Sequence, residues 1–436
     1  MTSLTLCCSR RAIAANAYVN GNWRFIQTLQ RRQQLQQQQQ CGRHCAAATA
    51  TAAATTTAPK TNANIGAFTI STRNMSSCSS QQLVAVDESR RFMIDCFMAV
   101  KVPEENARAQ ADLLVAADYR GHFSHGMNRL EMYINDLAIN STNGAAEPQV
   151  LKETPATAWV DGCNGLGAVV GNYCMDLAIK KAKTVGVGWV CAKGSNHYGM
   201  AGWYAMRAMK QGLVGMSMTN TSPLMAPTGA KEAALGTNPL SLGAPASNSD
   251  QFLLDMATTA VAVGKIEIQN RKGAPLPDGW AQDPNGNVTN DAKLGFATGC
   301  LMPLGGSELT SGYKGYGLGA MVDILSGVMA GAKYSTQVRK WTHAGANSAA
   351  DLGQVFIAVD PNCFAPEFEE RMTDFNSRLR NTTPTDPKKP VLLAGDKEKN
   401  NMKAVDAAGG IQYLENQLKT CAALAEKLKI KPLSFN

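Results

Sequence analysis

Apolar positions recur every three to four residues through three successive stretches of the chain. In "ESRRFMIDCFMAV", Phe92, Cys96 and Val100 fall four apart, the repeat of one helix face. In "VPEENARAQADLLVAADYRG", Pro103 suits a first turn, acids follow it, and Gly121 stands where a helix would stop. The third stretch places Met127, Leu130, Ile134 and Leu137 at helical spacing, with Ser124 positioned to cap. Three helices in a row predict a helical unit over residues 81–157.

From residue 158 the period shortens. "TAWVDG", "VGWVCA", "LVGMSMTNT", "NPLSLGAP" and "QFLLDMAT" read as strands. Between them, "GAVVGNYCMDLAIKKAKTVG" and "MAGWYAMRAMKQG" read as helices. Residues 271–316 are rich in Gly, Pro and Asp and read as a long loop region. "GYGLGAMVDILSGVMAG" reads as a buried helix with Leu318, Val322, Leu325 and Met329 on one face. A strand at "QVFIAVD" and later helices complete the chain. The pattern predicts an α/β protein with no internal repeat.

The net charge of +8 resides at one end. No acid precedes Asp87, while eight of the 42 basic residues lie before it, leaving 34 basic against 34 acidic residues in the remainder. The basic balance therefore gives no reason to expect nucleic acid or a membrane surface as a partner. Residues 1–80 also hold a glutamine run and an Ala/Thr tract, a composition that cannot bury a core. An acid-free, Arg-, Ser- and Ala-rich leader predicts a mitochondrial transit peptide, processed near Arg73, and a matrix location. A start at Met75 would give a cytosolic form. No stretch is apolar for long enough to predict a membrane span. Of twelve cysteines, seven lie beyond the leader, scattered and without a CxxC pair, so neither a zinc motif nor a disulfide framework is expected.

The chemistry-bearing stretch is "RGHFSHGMNRLEMYINDL". His122 and His125 are three apart, yet a zinc site needs three or four ligands, and only His197 and His343 remain beyond the leader. His125 and Arg129, four apart, would project from one helix face. A neutral imidazole beside a guanidinium that grips a carboxylate suits a 2-hydroxy or 2-keto acid. The alternatives are a helix-cap histidine and a surface arginine. "GLGAVVG" invites a dinucleotide fingerprint, but its third glycine is displaced and no acid follows at the required distance. "SGYKGYG" places Lys314 at a helix start, a phosphate site or a solvated turn. Asp255 ends an apolar strand, either as a cap or as an acid that orients a distant histidine.

Together these segments resemble the malate/L-lactate dehydrogenase type 2 family. The resemblance is carried by "SHGMNRLEMY", "GSNHYGMAGWYAM", "MTNTSPLMAPTGAKEAALGTNPLSLGAP", "DMATT", "GWAQDPNGNVT" and "MPLGGSELTSGYKGYGL", in order along the chain. It implies a non-Rossmann fold: a mostly antiparallel cofactor-binding sheet over 158–339, flanked by helices, and a helical unit of 81–157 completed by 340–436. It implies a homodimer, an NAD or NADP cofactor and no metal. His125 would transfer the proton, with Ser124 and Asp255 as its relay. Arg129 and His197 would contact substrate. Cofactor contacts would fall on Leu253, Leu254, Asp255, Met256, Ala257 and Thr258, on Tyr313 and Lys314, and on Gly395, Asp396 and Lys397. Here Ala394-Gly395-Asp396 replaces the family's usual Pro-Gly-Glu. The expected reaction interconverts a small 2-hydroxy acid, of malate or lactate type, and its 2-keto acid. Reduction of a cyclic imine acid is the alternative within enzymes, and a non-catalytic cofactor-binding dimer the alternative outside them.

Overall fold

A computed structural model describes residues 83–340 and 348–435. The expected leader and its processing point near Arg73 lie outside the described residues, as does His343.

A short strand β1 (Leu83–Val84) leads into α1 (Val86–Ala99) and α2 (Glu104–Tyr119). Both helices carry two acids in the first turn, which favours the positive helix end. Pro103 sits at the N-cap of α2 rather than within its first turn. The third expected helix starts late. Two 3-10 turns, Phe123–His125 and Met127–Arg129, precede α3 (Leu130–Ala138), and Ser124 caps nothing.

The chain then builds one seven-stranded sheet. Its members in sequence are β2 (Gln149–Glu153), β3 (Thr157–Asp161), β4 (Val187–Ser195), β5 (Val214–Thr219), β6 (Leu240–Pro245), β7 (Gln251–Met256) and β10 (Leu352–Val359). Their spatial order is β2-β3-β4-β10-β5-β6-β7. Every pairing is antiparallel except β3 with β4. Helix α4 (Gly167–Val185) makes that one parallel crossover. The expectation of a mostly antiparallel, non-Rossmann sheet therefore holds.

Strand β10 lies at the centre of the sheet and is buried along nearly its whole length, as its apolar run "VFIAV" requires. This corrects the expected boundary at 340: residues 352–359 belong to the sheet, not to the helical unit. On one face, Cys174, Met175 and Ala178 of α4 and Tyr204 of α5 (Gly202–Met209) pack against Val190 and Phe356. Each large side chain so buried contributes roughly 1.5–3 kcal/mol. On the other face, Val355 and Ile357 meet Val322.

The expected loop 271–316 holds more structure than its composition predicts. Helix α6 (Val263–Lys272) runs into it, followed by β8 (Ala281–Gln282), β9 (Val288–Thr289) and α7 (Ala292–Thr298). Their few apolar residues form a separate small cluster around Ile266, Leu276 and Leu301. Helix α8 (Gly312–Asp323), continued by a π turn Ile324–Val328, is only partly buried. Val322 is inside, but Met329 is 54% exposed, because the inserted π turn rotates the later residues off the expected face.

Helices α9 (Phe368–Arg380), α10 (Asp396–Ala408) and α11 (Glu415–Leu428) follow, with β11 (Ile411–Gln412) paired to β1. Val405, Ile411, Tyr413, Cys421 and Leu424 share one apolar cluster with Phe92, Phe97, Leu114 and Ile134. The helical unit is built from both chain ends, as expected.

Candidate functional site

One cavity of about 400 Å³ lies between the helical unit and the ends of β4, β5 and β7. The irregular turn supplies His122, Ser124, His125 and Arg129. The loop after β4 supplies His197, and the end of β7 supplies Asp255, Met256 and Ala257. His125 and His197, 72 positions apart in sequence, stack with ring centroids 5.8 Å apart.

Each histidine is held from behind. Ser124 Oγ lies 2.8 Å from His125 Nδ1. Tyr133 Oη lies 2.5 Å from His197 Nδ1, and the Gly199 N–H points at the same nitrogen from 3.3 Å. An N–H can only donate, so Nδ1 of His197 is an acceptor and its proton sits on Nε2. His197 thus lines the cavity as a neutral hydrogen-bond donor. Burial, then His125 and Arg129, hold its pKa well below the usual histidine value. His125 is pushed down to about 4 by burial, then by its neighbours Arg129 and His122. A serine hydroxyl can accept Nδ1–H, which frees Nε2 of His125 as a base.

Arg129 does not share a helix face with His125. The break at Gly126 carries it round so that its Nε donates to the Ser124 carbonyl, 2.8 Å away. That bond fixes the guanidinium beside His125 and leaves its terminal nitrogens for a substrate carboxylate.

Asp255 corrects one expectation. It lines the same cavity, but its Oδ2 accepts from the Gly202 N–H at 2.7 Å, and it makes no hydrogen bond to His125. Burial raises its pKa, opposed by the Gly202 bond and by His122 and Arg120. Among the described residues, the one that holds His125 Nδ1 is Ser124.

The glycines of "GLGAVVG" have a packing role. A Cβ on Gly167 would lie 2.2 Å from the His197 carbonyl oxygen, so only glycine lets α4 start beneath the His197 loop.

A nicotinamide cofactor suits the rest of the cavity. Met200, Ala201, Pro239, Met256 and Ala257 give it an apolar wall for a flat ring. The start of α6 supplies Ala262, Val263, Gly264 and Lys265 to the lining. Ala262 offers no capping side chain, so the first N–H groups of α6, beside Lys265, can receive phosphate oxygens. Of the cofactor residues implied by the resemblance, Asp255, Met256 and Ala257 line the cavity, while Leu253, Leu254 and Thr258 do not. Tyr313 and Lys314 are exposed and outside it. Gly395, Asp396 and Lys397 are also outside. The Asp396 carboxylate is bound to Arg380 at 2.8 Å, and the preceding Ala394 carbonyl accepts from the Leu253 N–H on the open edge of β7. Sequence reasoning missed Thr221, Ser222, Thr237, Lys265 and Lys340. "TNTSPLM" contains the first two, but small polar residues read as ordinary loop. Lys265 and Lys340 carried no local signal.

The chain has known relatives. The malate/L-lactate dehydrogenase family model matches residues 84–421. The chain belongs to that family. It is an oxidoreductase that acts on 2-hydroxy acids with a nicotinamide cofactor. It is 43% identical to a malate dehydrogenase of Pyrococcus horikoshii, over 72% of this chain and 87% of that protein. The solved structure of that enzyme superposes with a TM-score of 0.73 at 38% identity, covering 80% of this chain and 97% of that one. An L-sulfolactate dehydrogenase of Methanocaldococcus jannaschii is 40% identical over 76% of this chain and 94% of its own. A Delta(1)-pyrroline-2-carboxylate/Delta(1)-piperideine-2-carboxylate reductase of Pseudomonas syringae is 32% identical over 62% of this chain and 78% of its own. No group of three or more His, Cys, Asp or Glu among the described residues could hold a metal ion. None of the described helices is long and apolar enough to cross a membrane.

Proposed function

We propose that this member of the family interconverts a 2-hydroxy dicarboxylic acid of malate type and its 2-keto acid. The carrying observation is that Arg129, Lys265 and Lys340 all line one cavity. One cation suffices for lactate, which bears a single carboxylate. The extra lysines favour a substrate with a second negative group, alongside the cofactor's phosphates. The named activities of the malate and sulfolactate dehydrogenase relatives agree, since both substrates carry two anionic groups.

In the oxidation direction, Arg129 grips the carboxylate next to the reacting carbon. His197 donates its Nε2–H to the substrate oxygen, and His125 Nε2 takes the hydroxyl proton. A nicotinamide held in this cavity would supply the hydride acceptor. Substrate charge on Arg129 offsets the cation that depresses His125, so binding raises the basicity of His125 when it is needed. Ser124 holds the imidazole throughout.

The test is a screen of NADH and NADPH against oxaloacetate, sulfopyruvate, pyruvate and cyclic imine acids. Oxaloacetate or sulfopyruvate should exceed pyruvate in kcat/KM by about tenfold or more, the scale of one charge-assisted hydrogen bond. A preference for pyruvate or for an imine would reject the dicarboxylate reading. The same screen decides between NAD and NADP.

We infer that the enzyme works as a homodimer. Met321, Ile324 and Val328 are exposed along one helix stripe, an apolar face suited to a second copy. Light scattering of the purified chain should give twice the chain mass, and a monomer would reject this.

A further inference from the structure

Asp118, near the end of α2, is fully buried and bonds to Met127 and Tyr413, both members of the apolar cluster of the helical unit. Its Oδ2 accepts from the Met127 N–H at 2.8 Å and from the Tyr413 hydroxyl at 2.9 Å. Tyr413 Oη shares a further bond with Ser89 Oγ at 3.2 Å. Asp118 Oδ1 is buried with no hydrogen-bond partner among the described residues. Gly126 lies directly against it: a Cβ there would stand 1.9 Å from Oδ1.

A carboxyl in an apolar cluster is poor for stability, because burial removes its hydration and no ion pair of the described residues compensates. The site has a reason to accept that cost in the turn above it. The apolar repeat from Met127 to Leu137 would extend as one helix from Ser124. The structure instead breaks at Gly126, with φ −101° and ψ −132°. That break leaves the Met127 N–H without a helical partner, and Asp118 takes it. The break also turns His125 toward His197 and brings Arg129 onto the Ser124 carbonyl.

We infer that Asp118 is a positioning residue for the dehydrogenase reaction: it pins the turn carrying His125 by gripping the Met127 peptide, and ties it through Tyr413 to the C-terminal segment. It touches neither substrate nor cofactor. The inference rests on His125 being the proton-transfer group.

The test compares Asp118→Ala with Asp118→Asn in the full chain. Asparagine keeps an acceptor for Met127 and Tyr413, whereas alanine keeps none. Asp118→Ala should lower kcat about tenfold or more, the scale of one well-placed hydrogen bond, with affinity for NADH unchanged. Asp118→Asn should restore most of kcat and melt no lower than the parent, since it buries no charge. A merely structural role predicts instead that activity follows the melting temperature in both variants. Asp118→Ala within twofold of the parent kcat would overturn the inference. Should Asp118→Ala not fold, Gly126→Ala serves. Its Cβ must push the turn off the carboxylate and lower kcat, and unchanged turnover would overturn the inference equally. A second readout needs no turnover: the His125 ring signals in the proton–nitrogen spectrum, assigned with His125→Ala, should move in Asp118→Ala and return in Asp118→Asn. Unmoved signals would reject positioning. A parent enzyme inactive on every keto acid would reject the function while leaving this readout intact.

Discussion

Tyr133 Oη sits 2.5 Å from Nδ1 of His197, on the side away from the reacting cavity. Two donors meet at that nitrogen, and together they make His197 a fixed donor rather than a base.

Tyr133→Phe removes one of those donors and leaves the weaker Gly199 contact. The expected result is a fall in kcat of about tenfold with little change in cofactor affinity. Steady-state kinetics in both directions decides it, and a normal kcat would show that Gly199 alone sets the tautomer.

The two histidines give a pH signature. For the free enzyme, the acidic limb of kcat/KM for oxidation should lie near the depressed value of His125, about 4, rather than at 6.5. In the substrate complex Arg129 is neutralised, so the limb of kcat should lie at higher pH. Linkage gives the matching stability trend. The unfolded chain binds a proton on this histidine more readily than the folded chain. Its contribution to stability is therefore full above about 6.5 and is lost as pH falls toward 4. Denaturant titrations of the parent and His125→Gln across that window should differ in slope, and parallel curves would contradict the burial argument.

His125→Ala should cost about a hundredfold or more in turnover, the usual scale for a general acid–base group. Arg129→Lys should act mainly on KM, because an ammonium cannot reproduce a bidentate grip. An unchanged KM in Arg129→Lys would remove Arg129 from carboxylate binding.

Asp255→Asn separates two arrangements. Asp255 bonds to the Gly202 N–H, and an amide oxygen can accept that bond too. The acidic limb assigned to His125 should therefore stay in place. A shift of about one unit or more would show that Asp255 acts on His125 directly. Burial raises the Asp255 carboxyl, so its ionisation costs stability as pH climbs from about 3.8 through the folded value. Asp255→Asn should flatten that part of the stability curve.

The acid-free leader predicts a mature chain that begins near residues 74–80. N-terminal sequencing of protein from the native tissue checks this, and recovery of residues 1–60 would refute a transit peptide.

The sequence by itself determined the elements whose periodicity is local. The spacing of Phe92 and Cys96 and the run "VFIAV" each specify what one segment must bury, and helix α4 ends at Gly186 as expected. It also determined the residue types of the site, since Ser124, His125 and Arg129 lie within six positions. Tertiary structure decided how those residues face one another. The apolar repeat favoured one helix from Ser124, but Asp118 competes for the Met127 N–H and Gly126 admits the break. Neither competitor is visible in a hydrophobic pattern. Asp255 was legible as an acid at a strand end, but whether it meets His125 or Gly202 depends on how β7 lies against α5. The stacking of His197 on His125 depends on contact across 72 residues, which no local signal encodes. Burial first, and then neighbours that include Arg129, keep both imidazoles neutral, because the folded core removes the water that would stabilise their charge.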